Sequence, residues 1–186
     1  NIILHSLVTI LVFHFLCLFF KREPSFLSAA LFAVHPIHTE AVTWISGKPY
    51  IILTLFTLLT YLLYYKATNQ DEVDKKSRNL NYALSLGTFS YFIIKNYSFY
   101  SLFPFFIILS DITFNRWKKN WRLWIPFLFL VILRVILSRG IIHERIIFTS
   151  AYGPEGAQAW RNPVFPFIYS IFSHLWLLFW PMRLTF

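Results

Sequence analysis

Seven apolar runs, at about 1–20, 25–34, 49–65, 80–94, 97–110, 121–138 and 163–181, fill most of a 186-residue chain. Crossing a bilayer takes roughly 20 apolar residues as a helix, and lipid admits only structures that satisfy their own backbone polar groups. The sequence is 57% hydrophobic and 13% charged, about half the charge of an ordinary soluble domain. These runs predict an all-α fold, a polytopic transmembrane helical bundle with about seven membrane segments. The second, fourth and fifth are short for a full span. The second is expected to continue past Pro36 as a broken helix. The fourth and fifth flank Lys95 and Asn96, as a tight hairpin or one bent element.

The charge pattern orients the bundle. Lys21 and Arg22, then Lys66, Lys75, Lys76 and Arg78, then Arg116, Lys118, Lys119 and Arg122 place ten cations in the odd connections. Those connections are therefore expected in the cytoplasm, with 68–79 as a solvated loop. The net charge of +9 does not point to nucleic acid, because the cations lie between apolar runs, beside lipid phosphates. Residues 35–48 and the loop 139–162 then share the outer face, in the endoplasmic-reticulum lumen of a eukaryote or the periplasm outside a bacterial inner membrane. Cys17, alone in an apolar run, reads as a small buried side chain. His14 and His174, also within apolar runs, read as hydrogen bonders between packed helices. Residue 1 is not methionine and the only methionine is Met182, so the chain is expected to be a piece of a longer protein.

On that outer face AVHPIHTEAVTWISGK, residues 33–48, gathers polar residues between two apolar runs. Pro36 ends the incoming helix and suits the first turn of the next, which makes His35 the N-cap. HTEAVTWIS fits a short interfacial helix, with Trp44 at headgroup depth and Gly47 as its terminator. Glu40 would share a face with Thr43 and Trp44, and His38 would point elsewhere. Three readings stay open: a metal site of His35, His38 and Glu40, interfacial groups satisfying one another, or a polar wall of a substrate site. The HxxHxE spacing is not a standard zinc pattern. Ionisable groups at membrane depth are costly, which favours function.

The run LFAVHPIHTEAVTWISGK, Leu31 to Lys48, closely resembles the motif of the transmembrane-and-tetratricopeptide-repeat O-mannosyltransferases and their bacterial relatives. These are membrane glycosyltransferases of the GT-C fold. Asn1 and His5 resemble the pair opening that family's second helix, and Pro104 with Asp111 its proline-then-aspartate helix. Arg134 resembles its buried arginine, Asn162-Pro163 its asparagine-proline, and LWLLFWPMRL its later leucine-rich run. Tyr50 stands near the family's usual aspartate, and Ile94-Lys95-Asn96 where it has serine-lysine-glutamate. The resemblance implies a partial GT-C-like membrane domain over 1–186. The first helix, the first luminal loop with its acidic pair, and any tetratricopeptide repeats would lie outside it.

The implied reaction moves a sugar, mannose or a similar hexose, from a polyprenyl-phosphate carrier to protein serine or threonine hydroxyls with inversion. Membrane lipid, the lipid-linked sugar and an acceptor protein are the implied partners. No cofactor is specified, and the residues do not decide a divalent-metal requirement. A carboxylate must take the hydroxyl proton, and cations must stabilise the departing phosphate. Glu40 is given a supporting catalytic role, assisting the base or holding His35, Lys48 or Arg134. The structural alternative is favoured, because the implied base lies upstream. Substrate-binding candidates are His35, His38, Lys48, Lys95, Arg134, Arg161 and Asn162, with Arg139 and Arg145 as further outer-face cations and no metal ligand assigned. Lys48, Arg134 and Arg161 also read as snorkelling side chains, and Glu144 and Glu155 as solvated charge. The stretch 149–167 reads either as cover for a bound headgroup or sugar or as an ordinary loop. The competing classes are a transporter or flippase for a lipid-linked substrate, and a non-catalytic membrane subunit. No inverted repeat supports the transporter.

Overall fold

The computed structural model describes residues 1–69, 74–95, 98–151, 172 and 175–176. Every regular element among them is helical: α1 (Ile2–Leu16), α2 (Arg22–Val34), α3 (Thr39–Thr43), α4 (Lys48–Asn69), α5 (Lys75–Ile94), α6 (Phe103–Thr113) and α7 (Trp117–Ala151). Short 3-10 turns over Pro36–His38, Ile45–Gly47 and Ser98–Leu102 link them. The chain divides into two compact units, Asn1–Arg134 and Val135–Phe186. In the second, residues 135–151 are helical, and Phe172, Leu175 and Trp176 are helical and exposed.

Two helical stretches are long and apolar enough to cross a bilayer, Lys48–Asn69 and Trp117–Leu137. The apolar stretches Ile2–Leu16 and Tyr100–Thr113 are shorter. At 1.5 Å per residue, the 15 residues of α1 reach about 22 Å, short of a 30 Å hydrocarbon core. Several element boundaries depart from the sequence reading. Among the described residues of 68–79, 68–69 end α4 and 75–79 begin α5, so these are helical rather than loop. The 139–162 stretch, expected as a loop, is helical as far as Ala151. Gly140 alone does not stop that helix, because one interior glycine costs only about 1 kcal/mol. Cys17 is exposed rather than buried. His14 is exposed too, and its Nδ1–H donates 2.8 Å to its own helix at Ile10 O instead of bridging helices.

The core of the first unit is aromatic. Tyr61 and Tyr64 of α4, Phe89 and Phe92 of α5, Tyr100, Phe103 of α6 and Phe127 of α7 are all buried. The ring of Phe89 lies 5.1–5.7 Å from those of Tyr100, Phe103 and Phe127. Lipid tails are as apolar as these side chains, so close ring packing and hydrogen bonds between helices contribute to their association. Buried hydroxyls are satisfied both within and between helices. Thr60 Oγ1–H donates to Phe56 O at 2.6 Å, and Ser85 Oγ–H crosses to Thr60 O at 2.9 Å, pinning α5 on α4.

One buried carboxylate ties three helices together. Asp111 is fully enclosed near the end of α6. Its Oδ2 accepts from Tyr64 Oη–H at 2.6 Å and from Trp124 Nε1–H at 2.9 Å. Its Oδ1 accepts from Asn120 Nδ2 at 3.1 Å and lies 3.5 Å from Arg116 Nε. The Asp111 carbonyl also accepts from Arg116 N–H at 2.7 Å, and Ile112 O from Asn115 N–H at 3.0 Å. Asn115, at φ 54, supplies the left-handed residue that this helix-ending motif requires. The proline and aspartate marked by the family resemblance thus bound a single helix.

The odd connections meet at one end of this unit. Phe19 of the first and Phe114 of the fifth have ring centroids 5.2 Å apart. Arg116 of the fifth donates 3.1 Å to Asn69 Oδ1 of the third, and its guanidinium lies over the Tyr65 and Phe114 rings. The alternation read from the cations therefore has a geometric counterpart.

Candidate functional site

The polar stretch folds at the opposite end of α1 and α4, in the break between α2 and α4. The break occurs where Pro36 demands it. His35 is extended (φ −67, ψ 128), Pro36 opens the 3-10 turn, and the His35 ring caps that turn by accepting the Ile37 N–H at Nδ1, 3.2 Å away. The predicted N-cap is in place. A neutral His35 then carries its proton on Nε2.

Helix α3 ends at Thr43, three residues earlier than a continuous HTEAVTWIS helix would, and Trp44 is extended at ψ 132. Trp44 N–H still donates to Glu40 O at 3.1 Å, and Glu40 and Trp44 line one cavity, as expected of residues on a common face. Gly47 plays a different part from the terminator expected of it. Among the described residues no glycine has positive φ. What requires glycine is proximity: a Cβ at 47 would lie 2.7 Å from Ala41 O and 2.9 Å from Ala41 Cα.

Two residues at the start of α1 complete the arrangement. Asn1 Nδ2 donates to the Trp44 carbonyl at 2.6 Å, which also accepts the Gly47 N–H at 3.1 Å, and to Ala41 O at 3.4 Å near the end of α3. One turn on, His5 Nε2–H donates to Ala33 O at 3.1 Å, in the last turn of α2. Because a carbonyl only accepts, this bond sets the His5 tautomer. The His5 ring stacks on Phe32 at 5.5 Å, and the His38 ring lies 4.2 Å from Phe32, 5.2 Å from His5 and 6.2 Å from His35. The family resemblance marked Asn1 and His5 but gave them no site role. Their signal in the sequence is a polar pair four residues apart on one face of an apolar helix.

Burial, followed by the neighbouring His5 and His35, lowers the His38 pKa to about 4. His38 is therefore neutral near pH 7, a hydrogen-bonding group and not a cation. Between pH 6.5 and about 4 the unfolded chain binds a proton at this position that the folded chain refuses. The contribution to stability is thus full above pH 6.5 and falls as the pH drops toward 4. His38→Gln is expected to flatten the loss of thermal stability between pH 7 and 4.5 relative to the parent. Identical pH profiles for the two proteins would refute the assignment.

The other candidates lie apart from this triad. The Glu40 carboxylate has no hydrogen bond or ion pair among the described residues, so it does not hold His35, Lys48 or Arg134 here. It lines an open cavity of ≈ 400 Å³ with Ile37, Trp44, Ser46, Gly47 and Tyr50. Lys48 begins α4 and is exposed. Lys95 closes α5 and lines a separate groove of ≈ 780 Å³ with Ile52, Phe56, Thr88 and Tyr91. Arg134 is half-buried on α7. Arg161, Asn162, Glu155, His174 and Pro163 lie outside the described residues, as do the side chains of Arg139, Glu144 and Arg145. Among the described residues no group of three or more His, Cys, Asp or Glu side chains is placed to hold a metal ion.

No family model matches the chain, and no solved structure matches it. It is 48% identical over 73 residues to protein O-mannosyl-transferase TMTC1 of Homo sapiens, a stretch that makes up 38% of this chain and 8% of that protein. Over 71 residues it is 38% identical to protein O-mannosyl-transferase TMTC3 of Mus musculus, again 38% of this chain and 8% of the relative. Protein O-mannosyl-transferase TMTC4 of Homo sapiens is 36% identical over 81 residues, 36% of this chain and 11% of its own. The chain thus spans about a tenth of the length of the curated relatives it matches. Over the matched stretch it is homologous to the TMTC protein O-mannosyl-transferases.

Proposed function

We propose that this chain is the site-bearing part of a GT-C-type membrane protein O-mannosyltransferase. It acts at the luminal face of the endoplasmic reticulum, or at the periplasmic face if bacterial. The donor is a polyprenyl-phosphate mannose, the acceptor a protein serine or threonine, and transfer inverts the anomeric carbon. The observation that carries this reading is the folding of 33–48 into a break held by Asn1 and His5, in a chain whose relatives bear that activity in their names. A broken helix at one end of an apolar unit gives a place where polar groups can meet a lipid-borne sugar without crossing the bilayer.

In this reading Glu40 faces substrate across its open cavity and supports the base, and neutral His35 and His38 offer hydrogen bonds to the sugar-phosphate. Lys48, Lys95, Arg134, Arg161 and Asn162 are the further groups for the donor, with cations offsetting charge on the leaving phosphate. The acidic base itself lies in the longer protein. The test uses that full-length protein. Glu40→Gln and His35→Ala are each expected to slow mannosyl transfer about ten- to hundredfold, as for losing a charge-assisted hydrogen bond in the transition state. Thr43→Ala, whose hydroxyl only returns to Thr39 O at 2.8 Å, is expected to transfer near the parent rate. Parent rates from equally abundant Glu40 and His35 variants would remove this stretch from the active site.

A further inference from the structure

Helices α1 and α2 leave an apolar groove of ≈ 660 Å³ between them, which the proposed transfer does not use. Ile10 and Phe13 of α1 and Phe26 and Ala30 of α2 line it, and the Phe13 and Phe26 rings meet edge to face with centroids 6.4 Å apart. The Thr9 hydroxyl, also in the wall, donates to His5 O of its own helix at 3.0 Å. The polar side chains left in the lining are Arg22 and Glu23, exposed together at the start of α2.

We propose that this groove binds a zwitterionic phospholipid with a primary ammonium, a phosphatidylethanolamine, its phosphate on Arg22, its ammonium on Glu23 and one acyl chain between α1 and α2. Both charges of such a headgroup find an opposite charge on the rim. Consecutive residues of a helix point about 100° apart, so Arg22 and Glu23 do not face and neutralise each other. The guanidinium fork matches two phosphate oxygens, and the carboxylate accepts N–H bonds from the ammonium. The carboxylate also selects among lipids. It repels the serine carboxylate of phosphatidylserine and finds no cation on phosphatidylglycerol. On phosphatidylcholine it meets methyl groups in place of N–H donors.

The depth of the groove suits a lipid. Charged side chains are costly in hydrocarbon, which puts the Arg22 and Glu23 end at headgroup level. From Arg22 to Ala30 the helix rises about 12 Å, so a chain anchored at this rim runs along the apolar wall. Phe26 and Ile10, 67% and 53% exposed, are the side chains it covers.

Native mass spectrometry of the full-length protein, released from micelles holding equimolar phosphatidylethanolamine, phosphatidylcholine and phosphatidylglycerol, tests this. One phosphatidylethanolamine is expected to be retained about fivefold over either of the others, the upper end for an exposed ion pair. Glu23→Gln should bring phosphatidylethanolamine and phosphatidylcholine to parity, because the phosphate contact to Arg22 is common to both. Arg22→Gln should lower retention of both. Asp74→Asn, the same charge change at the start of α5 outside the groove, should preserve the preference. Ala30→Phe, which fills the groove and leaves both charges in place, should release the lipid. Should that variant not fold, Glu23→Gln decides alone, since it alters only an exposed side chain. Equal retention of phosphatidylethanolamine and phosphatidylcholine by the parent overturns the proposal, as does a preference that survives Glu23→Gln. Phosphatidylglycerol retained above phosphatidylethanolamine overturns it too, since attraction to the cations of this end would then suffice. So does an Asp74→Asn variant that loses as much as Glu23→Gln.

Discussion

Replacing Asp111 with alanine is expected to destabilise the folded chain by about 3–5 kcal/mol, the range for removing one partner of a buried ion pair. The carboxylate accepts from Tyr64, Asn120 and Trp124 and faces Arg116. Its loss strands the Tyr64 and Asn120 donors, leaves Trp124 Nε1–H only Tyr64 Oη at 3.2 Å, and leaves the guanidinium buried against two aromatic rings without its counter-charge. Arg116 Nε and Nη2 already have no hydrogen-bond acceptor, so the side chain has no second anion to turn to among the described residues. Asp111→Asn keeps a carbonyl for Tyr64 or Trp124 and should cost less than alanine. Adding Arg116→Leu to Asp111→Ala should recover part of the loss, because no unpaired charge then remains. Unfolding midpoints in detergent for the single and double variants measure this coupling. Strict additivity of the two substitutions would show that the ion pair contributes nothing.

How far these features were legible depends on whether their cause is local. The break at residues 35–36 could be read because a proline has only local requirements, and His35 as its cap followed from the same step. The helical class and the meeting of alternate connections followed from run length and charge. Asp111 was visible only as the end of a helix. Its partners stand 47 residues before it, at Tyr64, and 13 after it, at Trp124, and no periodicity connects them. The ends of α4, α5 and α7 were misplaced for a different reason. Polar residues mark where lipid ends, but a helix whose backbone bonds are internal continues into the headgroup layer. His5 shows the same limit on the site side. Its role comes from meeting Ala33 O and His38, contacts that only the packing of α1 on α2 creates.

Gly47 is where this limit has its largest functional consequence. With no positive φ to explain it, the glycine at 47 is required by the 2.7 Å and 2.9 Å approaches of its missing Cβ to Ala41. Both opposing atoms are backbone, so no side-chain rotation can relieve the clash, and α3 must move. Ala41 O and Trp44 O are also the carbonyls that Asn1 caps, and Asn1 opens the helix that carries His5. A displacement at residue 47 therefore passes through two hydrogen bonds to the histidine triad. Gly47→Val is expected to cost about 1–3 kcal/mol as an overpacking change. In the full-length protein it should lower mannosyl transfer about a hundredfold, as misplacing positioned groups by roughly 1 Å does. Gly87→Ala is the matched control. Its Cβ meets nothing within 4 Å in the middle of α5, and it should be neutral or gain about 0.5–1 kcal/mol from helix propensity. If Gly47→Val melts and transfers like the parent, the turn before α4 yields freely, and the close approach to Ala41 is not what holds the histidines in register.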